Sequence, residues 1–350
     1  VNRPQGNRPT RLPTIRDVSR LAGVSRMTVS RVVRDPGVVS PDTRARVNRA
    51  IADLGYVPDR AAGSLGSRRT GFIALILPTL TNANFASAAH GLTEVLRQAD
   101  YDLLIAYTDY SLAEEERQLR NLLARRPEAI VLTGAVHERN ASRMLLSADI
   151  PVIELADLPR RPIEHAVGFS NYEAGRTAAR YLLKREFLRI GAVAGSTQGD
   201  VIDHRGEERI RGFEDELRLA GRSTDLVLRH GSAPVSYEHG AAAARVLLRR
   251  DPKPDAVFAV SDLSAVGVVM ECARLGVEVP RDLSVMGFGD FDIGAQINPA
   301  LTTIHVDFRA LGRTTGQLLL EVLADGAAQT PRVVDVGLSV VERTSVAGSR

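Results

Sequence analysis

A chain of 350 residues with 44% hydrophobic side chains is too long for one small module and apolar enough to bury a real core. Its single cysteine, Cys272, excludes an internal disulfide and a cysteine-ligated metal site, and points to a reduced compartment. The net charge of +3 hides an asymmetry: residues 1–70 hold 14 of the 45 Lys+Arg and 5 of the 42 Asp+Glu, while the remainder carries 31 basic against 37 acidic side chains. A basic head on an acidic body is the balance that phosphate binding in one segment requires.

Residues 1–13, with Pro4, Pro9 and Pro13 among polar neighbours, read as a disordered arm without the apolar run of a signal peptide. No later stretch reaches transmembrane length, so a soluble cytoplasmic protein with no membrane contact is expected. Residues 14–58 read as a helix-turn-helix domain. Thr14 is a good N-cap, Asp17 sits in the first turn, and Ile15, Val18, Leu21 and Ala22 recur at helical spacing until Gly23 stops the helix. Ser25 caps a second helix whose inward stripe is Val29, Val32 and Val33. Arg26 with Ser30, and Met27 with Arg31 and Arg34, fall on the outer face at spacings of three and four. A short helix that shows long basic side chains directly after a glycine turn has the geometry to enter a major groove. There an arginine can take guanine O6 and N7 together, and Met27 can meet a thymine methyl. Ser40-Pro41-Asp42 opens a third helix with a buried stripe of Val47, Ala50, Ile51 and Leu54, ended by Gly55.

The string Thr14-Ile15-Arg16-Asp17-Val18, Ala22-Gly23-Val24-Ser25, Thr28-Val29-Ser30-Arg31-Val32 and Leu54-Gly55-Tyr56-Val57-Pro58 resembles the head of the LacI/GalR family of transcriptional repressors. The likeness continues through nearly the whole chain. It implies that Arg26, Met27 and Arg31 read bases, with Thr14, Ser25, Thr28, Ser30, Arg34, Tyr56 and Arg60 as further DNA contacts. It also implies that residues 59–70 form a hinge helix only on specific DNA, with Leu65 as the wedge that opens the minor groove at the operator centre. Gly63 and Gly66 weaken such a helix by about 1 kcal/mol each relative to Ala, which suits a helix meant to form only when bound.

From Gly71 onward, apolar runs at 72–77, 101–107, 129–132, 152–155, 190–194, 256–260 and 283–288 read as buried parallel strands. Stretches 86–97, 113–125, 172–185 and 263–275 read as helices between them. So many β-α units imply two doubly wound sheets, with ligands held beyond the strand C-termini. The resemblance makes residues 71–350 an α/β sensor domain like a periplasmic binding protein. Its two lobes are expected at about 71–166 with 306–335, and about 167–305 with 336–345. Beside the small all-α helix-turn-helix domain, this completes the expected fold.

The effector contacts implied by the same resemblance are Asn82, Asn84 and Phe85 after the first strand, Glu154, Arg209, Val235, Ser261, Gly289 and Phe308. Two of them depart from the family pattern. Its usual sugar-binding aspartate falls on Gly289, and its stacking aromatic falls on Val235. Losing a carboxylate beside Arg209 leaves the cleft more positive, which favours an anionic ligand over a neutral sugar; losing the ring argues against a purine. Arg26-Met27-Thr28-Val29-Ser30-Arg31, 151–155, 167–171 and 288–294 look like the branch that senses gluconate, so a sugar acid such as gluconate is the expected effector.

No catalytic constellation emerges. Gly287-Phe288-Gly289 follows a strand, but Asp292 stands where a dinucleotide fingerprint needs glycine. The seven histidines lack metal-pair spacing, Cys272 reads as a core residue, and no cofactor or metal is expected. The expectation is a ligand-controlled repressor of a sugar-acid utilisation operon, acting on a near-palindromic operator as a homodimer, since one head reads only a half-site. The C-terminal sequence has no leucine heptads of the kind that would add a tetramerising helix. Release or tightening by the ligand both stay open, although the gluconate likeness favours release. A regulator of another sugar or phosphosugar pathway is an alternative within the family. A transport-type solute-binding protein and a sugar enzyme are alternatives of other classes, the first opposed by the basic head and the second by the missing motifs.

Overall fold

The computed structural model describes residues 11–58, 70–325 and 330–348. Residues 1–10 of the expected arm, and the expected hinge with Arg60 and Leu65, lie outside these. The chain divides into two compact units, Val1–Thr70 and Gly71–Arg350.

In the first unit, α1 (Ile15–Ala22), α2 (Arg26–Arg34) and α3 (Pro41–Leu54) start and stop at the expected caps. The Asp17 carboxylate accepts from the Thr14 backbone N–H at 3.0 Å and from its hydroxyl at 2.7 Å. These bonds fasten the first turn of α1 and hold the Asp17 carboxyl below its usual range. Gly23 takes φ 64°, the left-handed conformation that lets the chain leave α1 and turn into α2 within three residues. Ser25 then accepts from the Thr28 N–H at 3.0 Å, satisfying one of the free donors at the start of α2. Val18, Ala22, Val29, Val32, Val47 and Ala50 form the buried core of the three helices. Two apolar positions depart from the expected stripes: Val33 is 40% and Leu21 55% exposed. Val29 and Val32 define the inward line of α2, and Val33 lies at its edge, about 40° beyond Val29 on the side away from Val32.

The second unit is built on two six-stranded sheets. Strands β1 (Phe72–Leu77), β2 (Asp102–Tyr107), β3 (Ile130–Thr133), β4 (Val152–Leu155), β5 (His165–Gly168) and β11 (Val333–Asp335) make the first, in the order β11-β5-β4-β3-β1-β2. Strands β6 (Ile190–Ser196), β7 (Val227–Ser232), β8 (Ala256–Ala259), β9 (Ser284–Phe288), β10 (Thr302–His305) and β12 (Ser339–Val341) make the second, ordered β12-β10-β9-β8-β6-β7. Every pairing is parallel except β10 with β12. The chain passes between the sheets after Gly168, after His305 and after Asp335. Val167 and Gly168, placed by sequence with the second lobe, therefore belong to the first. Both pair with β11 there, and a run of Ala166–Val167–Gly168 shows no break at which to cut it.

The helices are α4 (Ala83–Gln98), α5 (Leu112–Leu123), α6 (Arg139–Leu146), α7 (Asn171–Leu183), α8 (His204–Leu219), α9 (Tyr237–Leu247), α10 (Asp262–Arg274), α11 (Asp292–Gln296) and α12 (Phe308–Asp325). Three pairs of them cross at reciprocal glycines. A Cβ on Gly91 or Gly312 would stand 2.1 or 2.0 Å from a backbone oxygen across the α4–α12 crossing. Gly175 and Gly212 do the same for α7–α8 at 1.8 and 2.0 Å, and Gly240 and Gly267 for α9–α10 at 2.0 Å each. Only glycine allows backbones this close, and the α7–α8 crossing fixes the helix that carries Arg209. No described helix is long and apolar enough to cross a membrane.

Candidate nucleic-acid interface and ligand cleft

The face of α2 opposite the head core carries Arg26, Met27 and Arg31, all exposed, with Met27 at 67%. Thr28 and Ser30 are half-buried beside them, Ser25 and Thr14 are exposed, and Tyr56 packs partly against the core. The side chain of Arg34 lies outside the described residues. An exposed methionine flanked by arginines lacks the burial that would explain it as packing. The exposed face of α2 presents a mixed apolar and bidentate-donor surface.

In the second unit the C-terminal ends of the strands open onto a cleft between the two sheets. The turn after β1 contributes Thr79, Thr81, Asn82, Asn84 and Phe85; Val260 and Ser261 follow β8; Phe288 ends β9; and Phe308 begins α12 after β10. Asn82 is the N-cap of α4 and accepts from the Asn84 N–H at 3.0 Å. Phe85, Phe169, Phe288 and Phe308 make an aromatic floor with ring centroids 5.8 to 6.3 Å apart. Val235 and Pro234 also line the cleft.

One turn apart on α8, Arg205 and Arg209 point into this cleft and are both buried. Arg209 donates to Asn171 Oδ1 at 2.5 Å and lies 4.2 Å from the centroid of Phe288, while its Nε is buried with no partner. Burial lowers the Arg209 pKa to about 10, which still leaves the group charged at neutral pH. Arg205 stands over Phe85 and Tyr110, at 5.5 and 5.9 Å, and donates to Thr133 O at 3.5 Å. Asp203, the N-cap of α8, lies 4.0 Å from Arg205 and 3.8 Å from Arg209. Two guanidinium groups thus share one carboxylate in a site largely withdrawn from water.

The two lobes meet around this cleft. Asn84 Nδ2 donates to the Gly289 carbonyl at 2.9 Å, the Ile202 N–H to the Tyr110 carbonyl at 3.1 Å, and the Ser111 hydroxyl to Asp200 at 2.5 Å. Gly289 itself is not part of the lining. Its φ of 125° is a glycine conformation, and a Cβ there would stand 2.6 Å from Phe291 and 2.8 Å from the Asn84 amide.

Of the expected effector contacts, Asn82, Asn84, Phe85, Arg209, Val235, Ser261 and Phe308 come together in the cleft, and Gly289 adjoins it through Asn84. Glu154 does not. In β4, Ile153 and Leu155 face the shared interior, so the two-residue alternation turns Glu154 with Val152 to the other face of the sheet. There Glu154 accepts from the Ile163 N–H at 2.8 Å and stands 3.4 Å from His137 Nε2, whose Nδ1 lies 2.7 Å from Glu115. These three side chains are a buried ionic cluster that raises the His137 pKa to about 9, the two carboxylates outweighing the cost of burial. Sequence reasoning missed Arg205, Asp203 and Tyr110. Arg205 stands four residues before Arg209 on one helix, a spacing that puts both on the same face.

Residues 14–59 match the bacterial regulatory proteins of the lacI family, and residues 179–346 match a periplasmic binding protein-like domain. The HTH-type transcriptional regulator GntR of Escherichia coli (strain K12) is 32% identical over 94% of this chain and 97% of its own. The chain is a LacI-family transcriptional regulator. GntR of Pseudomonas aeruginosa is 33% identical, over 97% of this chain and 98% of its own length. A LacI-family regulator from Silicibacter pomeroyi matches in structure with a TM-score of 0.88 at 31% identity, covering 95% of this chain and 99% of that one. LacI-family membership makes the chain a DNA-binding regulator and not an enzyme, with the helix-turn-helix head and two-lobed α/β body described above.

Proposed function

We propose that this LacI-family regulator represses a sugar-acid utilisation operon and lets go of its operator when gluconate, or a sugar acid like it, enters the cleft between the lobes. One observation carries the ligand assignment: Arg205 and Arg209 face the cleft with only Asp203 between them, leaving one positive charge unanswered among the charged side chains lining it. A ligand carboxylate supplies the missing charge and the acceptors for the free guanidinium donors. Asn82, Asn84, Thr79, Thr81 and Ser261 offer the amide and hydroxyl groups that a polyol chain needs. The aromatic floor suits the apolar edges of the same chain.

The mechanism is a shift between two lobe arrangements. A ligand held by Arg209 from one lobe and Asn82 from the other favours the arrangement that brings both to it, and that difference in affinity is the free energy available for release. Two heads, one from each protomer of a homodimer, read the half-sites of a near-palindrome through Arg26, Met27 and Arg31, with residues 59–70 as the coupling segment and Leu65 as its minor-groove wedge.

A gel shift on the DNA upstream of the protein's own gene tests both halves. The expected result is a shifted band that gluconate dissolves and glucose does not. In Arg209→Ala the band forms with nearly unchanged operator affinity and no longer responds to gluconate. A band dissolved only by a neutral sugar overturns the assignment of the ligand, and no band on any near-palindromic site overturns that of the DNA.

A further inference from the structure

We propose that Asp203 sets the charge of the ligand, so that the cleft accepts one negative charge and rejects two. The inference rests on the sugar-acid assignment of the same cleft. Asp203 is fixed at the start of α8, where one of its oxygens accepts from the Gly206 N–H at 3.0 Å. Its other oxygen is 3.8 Å from Arg209 Nη2, and Arg205 Nη2 is 4.0 Å from the first. These are ion-pair separations too long for hydrogen bonds. The carboxylate therefore cancels charge without occupying the donor positions of either arginine.

Those donors are left over. A guanidinium offers five N–H groups. Arg209 gives one to Asn171 and keeps a buried Nε without a partner, and Arg205 makes a long contact to Thr133 O and one hydrogen bond to Tyr110. The charge still to be matched is a single unit, because Arg205, Arg209 and Asp203 are the charged side chains among the described lining residues. Tyr110 adds none, since burial raises its phenol pKa. Asp157, His204 and Glu115 line an adjoining hollow that Arg205 also borders; Glu115 is already paired with His137, and Asp157 acts on Arg209 from beyond ion-pair distance. Uncompensated charge is expensive in a desolvated site. A monoanion closes the balance there, and a dianion of the same size exceeds it by one.

Glucitol, gluconate and glucarate form a six-carbon series with nought, one and two carboxylates, so they separate charge from size. Calorimetric titration of the full-length protein is expected to rank gluconate above both others. Asp203→Asn keeps the shape and the capping oxygen while removing the charge, and it is expected to improve the affinity for glucarate relative to gluconate by about tenfold or more. Asp203→Ser, a second good cap, should move the ratio the same way, and unchanged melting of either variant certifies the fold. If wild type prefers gluconate but neither variant changes the ratio, the role of Asp203 is refuted while the sugar-acid assignment stands. If glucitol binds wild type as well as gluconate does, or neither acid binds, the assignment and the role of Asp203 fall together.

Discussion

His137 shows how much a single side chain can organise away from any ligand. It follows β3, with Glu115 of α5 on one side and Glu154 of β4 on the other, and its side chain is 3% exposed. Held charged, it keeps two buried carboxylates from facing each other unpaired. Its pKa rises from 6.5 in the unfolded chain to about 9 in the folded one, so the stabilisation is complete below about pH 6.5 and fades as pH rises through 9. In His137→Gln the melting temperature should be lower than wild type at pH 7, and the gap should narrow by pH 9.5. A gap that stays the same at both pH values would show that the His137 charge is not what binds the cluster.

Elements set the precision of the cleft. Arg205 and Arg209 owe their position to α8, and α8 owes its own to the crossing with α7, where Gly175 and Gly212 face backbone oxygens. Gly212→Ala would push a methyl to 2.0 Å from Tyr172 O, forcing the helices apart. Overpacking of this kind costs about 1–3 kcal/mol. A melting curve should show it as a drop of several degrees, and the affinity for gluconate should fall with it. Melting and binding equal to wild type would mean that the crossing tolerates a wider gap. Element-scale features were also the most legible in the sequence. Thr14, Gly23, Ser25, Pro41 and Gly55 mark the ends of three helices because capping and left-handed turns depend on a few adjacent residues. Strands such as β1 and β4 stand out as apolar runs between polar loops. Which face a strand residue takes is set by what packs on each side, and hence Glu154 was misplaced. The same holds for Val33: its apolar side chain is no guide to burial on a helix that has a core on one side only. Arg205 and Asp203 were hidden differently, since a charged residue on an amphipathic helix reads as solvent-facing until a second lobe is seen to cover it.

At the scale of the whole molecule, the basic head and the buried cleft should answer salt to very different degrees. The head is basic and its expected partner is a polyanion with condensed counterions, so each phosphate neutralised steepens the loss of affinity with salt. For six to ten contacts the operator affinity should fall by about 10³ to 10⁵ between 50 and 200 mM salt. The cleft arginines are buried, and ions in solution screen buried pairs far less. Gluconate affinity across the same range should therefore change little, and parallel losses in the two titrations would place the arginines in solvent. Tight packing also constrains the loop at Gly289. Its positive φ and its crowding by Phe291 and Asn84 leave no room for a side chain there. Placing one would demand a new backbone turn and a retreat of the Asn84 amide, which are several coordinated changes and not one. The loop therefore cannot be varied one residue at a time, and any side chain gained at Gly289 has to be matched by movements of Asn84 in one lobe and Phe291 in the other.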